Sequence, residues 1–103
     1  MMQQEELQSR FPLISNRIHP LTLLTIKDFF DANDCFSMNA ATTNFKIMES
    51  ILAGETKFIT KLTRLDTCQF SFFCLKLTET SDPIAMMIAS ESMKKLNKLL
   101  LEQ

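Results

Sequence analysis

The sequence predicts an α+β domain, and three observations predict it. Residues 56–78, TKFITKLTRLDTCQFSFFCLKLT, are dense in Phe, Ile, Thr and Leu with Asp66-Thr67 as the only polar break, which predicts a β-hairpin with strands 56–65 and 68–78. Before it, residues 2–10, 20–32 and 39–53 carry helix boundary signals or helical apolar spacing. After it, residues 83–101 place their apolar side chains on the stripe of a long amphipathic helix.

Each element has its own reason. Residues 2–10 (MQQEELQSR) form a short helix that stops ahead of Phe11-Pro12, because the residue before a proline is pushed out of the α region. Leu13, Ile14 and Ile18 then make a small apolar patch that ends at His19-Pro20. Pro20 suits the first turn of helix 20–32, where its missing N–H loses no bond, and Leu23, Ile26 and Phe30 share one face. Asn39 is a fitting N-cap for helix 39–53, in which Ala41, Phe45, Met48 and Leu52 form the stripe, and Gly54 ends it. In the hairpin a two-residue loop at Asp66-Thr67 puts Gln69, Ser71, Phe73, Leu75 and Leu77 on the core face of the second strand. Ser81-Asp82-Pro83 opens the last helix, whose stripe is Ala85, Ile88, Ala89, Met93, Leu96, Leu99 and Leu100, with Met87 and Leu101 off it. Two strands make a poor sheet alone. Either a short strand near residues 35–38 joins them, or two subunits pair edges or terminal helices.

A chain of 103 residues holds one hydrophobic core and not two, so residues 1–103 are read as a single domain. The net charge of −1 excludes a polyelectrolyte mode of binding. No apolar run approaches the ~20 residues of a membrane span, and the N-terminus is polar and acidic, so a cytoplasmic location is expected. Cys35, Cys68 and Cys74 are odd in number and irregular in spacing, which predicts reduced thiols in place of a disulfide framework.

Neither metal chemistry nor catalysis is predicted. Asp31-Ala32-Asn33-Asp34-Cys35 has the wrong residues for a calcium loop: Phe36 stands where Gly is obligatory and Thr42 where the bidentate Glu belongs. His19 is the only histidine, and no local signature surrounds any cysteine, so a Cys-His nucleophile pair and a zinc site both lack support. No cofactor is expected.

The order helix, helix, strand, strand, helix over residues 20–102 resembles the winged helix-turn-helix of the small bacterial repressors of the MarR family. That resemblance implies DNA binding, with residues 40–53 as recognition helix offering Asn39, Thr42, Thr43 and Lys46, and with Lys57, Lys61, Arg64 and Lys76 on the wing. The residues themselves favour another function. Phe70, Phe72, Met86, Met87 and Met93 offer an adaptable apolar surface, and the chain has more apolar surface than one core of this size uses. The sequence is therefore read as a non-catalytic protein–protein interaction module, a dimerising adaptor, regulator or chaperone, with a winged-helix DNA-binding regulator as the alternative.

Overall fold

A computed structural model describes residues 4–32 and 40–103. Among them the regular elements are all helical: α1 (Gln4–Arg10), α2 (Pro12–Arg17), α3 (Pro20–Ala32), α4 (Ala40–Leu52), a 3-10 turn (Lys57–Lys61), α5 (Arg64–Thr78) and α6 (Pro83–Leu101). No strand occurs among the described residues, so the α+β class, the hairpin 56–65/68–78 and the winged-helix order are corrected to an all-helical fold. The helices expected at 20–32 and 83–101 are present as α3 and α6. The proposed N-cap Asn39 and the proposed third strand at 35–38 lie outside the described residues.

The hairpin gives way to a helix for physical reasons. Thr63 and Asp66 form a capping box in which the Thr63 hydroxyl accepts from Asp66 N–H and the Asp66 carboxylate accepts from Thr63 N–H, both at 3.0 Å. The residue taken for a turn is therefore a helix start. Beyond it Phe70, Phe73, Cys74 and Leu77 are buried at i, i+3, i+4 and i+7, a helical and not an alternating pattern. Threonines that look strand-forming are absorbed by bonding back to the preceding turn: the Thr67 hydroxyl donates to the Thr63 carbonyl and that of Thr78 to Leu75, at 3.2 and 2.6 Å.

α4 is the centre. It packs against α2, α3, α5 and α6, and buries Ala41, Asn44, Phe45, Ile47, Met48 and Ile51. Phe73 of α5 meets Phe30 of α3, Phe45 of α4 and Phe70 of its own helix at centroid distances of 5.7, 5.6 and 6.0 Å, so one ring ties three helices together. α4 ends in a Schellman motif: Gly54, at φ +75°, donates to the Ile51 carbonyl and Glu55 to that of Ser50. From there the chain crosses to the antiparallel pair α5 and α6, joined by the short connection 79–82.

α2 is held from outside. Phe11, its N-cap residue, has no side chain able to cap, and the Glu49 carboxylate of α4 accepts from Leu13 and Ile14 N–H instead, at 2.5 and 3.1 Å. Leu7, Phe11, Ile14 and Ile18 are then buried in the common core.

Two polar side chains fit this core poorly. Asn44 on α4 and Ser92 on α6 are buried with no hydrogen-bond partner for the amide or the hydroxyl among the described residues. Ser92 falls on the buried stripe of α6, which the apolar pattern of the sequence left without it. A buried unpaired hydroxyl costs about 1–3 kcal/mol, so Ser92→Ala is expected to raise the thermal midpoint by an amount equivalent to about 1 kcal/mol. A lower midpoint in a thermal melt would show that the hydroxyl has a partner.

Candidate functional site

An uncharged groove lies between α5 and α6, and two caps set the helices that form it. Thr63 and Asp66 fix the start of α5, as above, and Asp82 fixes the start of α6 by accepting from Ile84 and Ala85 N–H at 3.1 and 3.2 Å. Its second oxygen accepts from the Thr22 hydroxyl and His19 N–H at 3.1 and 3.3 Å, which binds α6 to the start of α3. Desolvation pushes the Asp82 carboxyl up, but the bonds from Ala85, Thr22, His19 and Ile84 outweigh it and hold the group below its ordinary value.

With both helices set, an open groove of about 550 Å³ runs along their outer seam. Ser71, Ala89 and Ser90 keep its floor low, and Phe72, Leu75 and Met93 form its apolar walls. Leu75 is 53% exposed and Met86, which shares the face of Ala89 and Met93, is 42% exposed. No charged residue lines this groove.

The structure divides the predicted partner-binding residues. Phe72 and Met93 line the groove, Met86 is exposed on the α6 face of Ala89 and Met93, and Phe72 also packs on Phe29 and Phe30 at 6.0 and 5.9 Å. Met87 is exposed but turns away from the seam, one helical position on from Met86. Phe70 is corrected: it is fully buried, because on a helix it points with Phe73 into the core. Leu75, which the hairpin register turned inward, is the residue sequence reasoning missed, and the helical period of its neighbours was the signal.

The residues predicted to meet DNA do not form one surface. Thr42 and Thr43 are half-buried on α4, which packs against four other helices. Lys46 is exposed on the same helix, and Asn39 lies outside the described residues. Lys57 and Lys61 belong to the 3-10 turn and Arg64 to the first turn of α5, in place of a wing. Lys76 lies over the Phe29 ring at 4.5 Å and pairs with Glu79 at 2.7 Å.

The groups weighed for catalysis are also placed. The His19 ring accepts Leu21 N–H on Nδ1 at 3.1 Å, so it caps α3, and the Asp82 carboxylate meets the His19 backbone and not the ring. Cys74 is buried, which pushes its thiol up to about 12, far from a thiolate at neutral pH. Cys68 is exposed six residues earlier on α5, and Cys35 lies outside the described residues. Among the described residues no three side chains able to ligate a metal come together, and no helix is long and apolar enough to cross a membrane. Compared with known proteins, the chain matches no family model, and no curated protein or solved structure is similar to it.

Proposed function

We propose that the chain is a protein–protein interaction module without catalysis, a dimerising adaptor, regulator or chaperone, that makes contact through the outer face of α5 and α6. One observation carries this reading: the groove has no charged lining residue, and exposed Leu75 stands beside half-buried Phe72 and Met93, with exposed Met86 on the same face of α6 as Ala89 and Met93. Such a face gains free energy only when it is covered. Low small-residue floor and high apolar walls suit a helix laid along the seam, and a second copy supplies one by two-fold symmetry. Met86 and Met93 add side chains that adapt to an opposing surface. The exposed, unbridged thiol of Cys68 fits a reducing compartment, so the cytoplasm is part of the proposal.

The test is the mass in solution by light scattering across a concentration series. The wild-type chain is expected to rise from 11.9 kDa toward twice that mass. Leu75→Asp, at an exposed position, is expected to keep the far-ultraviolet spectrum and stay monomeric. A wild-type mass of 11.9 kDa at every concentration, or a Leu75→Asp dimer as tight as wild type, overturns self-association through this face.

A further inference from the structure

Away from that seam, the cations are distributed unevenly. The chain has 11 Lys and Arg residues. Four are in ion pairs: Arg10 with Glu6, Arg17 with Glu91, Lys27 with Asp31 and Lys76 with Glu79. None of the others has an ion-pair partner among the described residues. Apart from Lys46 they stand on the 3-10 turn (Lys57, Lys61), the first turn of α5 (Arg64) and the second half of α6 (Lys94, Lys95, Lys98), all exposed. Because α5 and α6 are antiparallel, these stretches meet at one end of the bundle.

That end also has a pocket of about 250 Å³ between the close of α4 and the second half of α6. Its floor is apolar, from Ile51, Leu52 and Leu99, and Lys95 and Lys98 stand on its rim. Thr56 lines it too, which brings the neighbouring Lys57 to its edge. Glu55 and Glu102 complete the rim.

We propose that this end docks an acidic segment of a partner protein, with one apolar side chain seated on Ile51, Leu52 and Leu99 and its flanking carboxylates on Lys95, Lys98 and Lys57. The charge argument is that at this end the six cations without an ion-pair partner outnumber Glu55 and Glu102 beside an apolar floor, so the complementary ligand offers carboxylates around a greasy centre. A nucleic acid suits it less. The pocket has an apolar floor and no aromatic side chain on which a base could stack. This surface is separate from the α5–α6 seam and does not depend on self-association.

The experiment is a 15N–1H shift titration of the full chain with the peptide acetyl-Glu-Asp-Leu-Glu-Asp-Leu-Glu-Asp-amide. Poly-glutamate, mixed duplex DNA and anionic vesicles are run in parallel. Saturable shifts are expected at residues 51–57 and 95–102, weaker with poly-glutamate, which lacks the apolar anchor. The affinity is expected to fall at least about tenfold when Lys95→Glu and Lys98→Glu are combined, since reversed rim charges repel the ligand. The milder pair Lys95→Gln and Lys98→Gln should give a smaller fall with an unchanged melting midpoint, and Leu75→Asp should bind the peptide like wild type. No saturable shift, shifts that survive the charge reversal, or stronger shifts of the same resonances by DNA or vesicles would overturn the proposal.

Discussion

Phe73→Ala is expected to remove a large share of the folding stability, while Leu75→Ala two residues on is expected to change it little. Phe73 touches rings from α3, α4 and α5 and is fully buried. Its truncation removes the transfer free energy of a large aromatic side chain and leaves a cavity that three rigid helices cannot close, a loss of about 3–5 kcal/mol. Against a total stability of about 5–15 kcal/mol for a domain of this kind, that is about a fifth or more of the whole. Leu75 points outward at 53% exposure, and surface truncations of this sort stay within about 0.5 kcal/mol in dilute solution. Urea unfolding followed by far-ultraviolet circular dichroism reads both. The pair also decides between helix and strand: in the hairpin register Phe73 and Leu75 share the core face, so equal losses would speak for strands, whereas unequal losses require the helical period.

Asp82→Ala is expected to be the most damaging change to a polar side chain. It removes the cap of α6, for about 1–2 kcal/mol, and also leaves the Thr22 hydroxyl and His19 N–H of the α3 start without their acceptor. Asp82→Asn separates the two roles. Its remaining oxygen can still cap Ile84 and Ala85, but its amide would present N–H groups to the His19 N–H. Its loss should therefore fall between wild type and alanine. The wild-type carboxyl has a lowered pKa in the folded state, so the stability it contributes is present above the unfolded value of about 3.9 and disappears as the pH falls through the folded value. Melting midpoints measured from neutral pH down to strong acid should converge for wild type and Asp82→Asn at the acid end. A gap that stays constant over the whole range would mean that the charge of Asp82 contributes nothing.

The helices with a clear boundary residue at one end were legible in the sequence. Pro20 and Asp82-Pro83 mark the starts of α3 and α6, and Gly54 marks the close of α4, because each of these residues has a backbone preference that context seldom overrides. α5 was not legible by composition. Its Thr and Phe residues are as common in strands as their spacing is helical, and the decisive information is the Thr63-x-x-Asp66 box, in which the residue read as a turn has a second use as a cap. One mistaken element then moved the candidate site: it buried Leu75, exposed Phe70, and gave Lys57, Lys61 and Arg64 a wing to stand on. α2 was hidden for a different reason. Its cap comes from Glu49, 35 and 36 residues away from the amides that it binds, and no local pattern carries that.

The central place of α4 bears on how the chain is made. Roughly fifty residues follow Leu52, so at about 5–20 residues per second α4 waits several seconds for the two helices that finish covering it. In that interval α2 and α3 can shield part of it, but the Phe73 ring that packs on Phe45, and Phe70 beside it, have yet to be synthesised. The nascent chain therefore passes through a stage at which its central helix is complete and its cover is not.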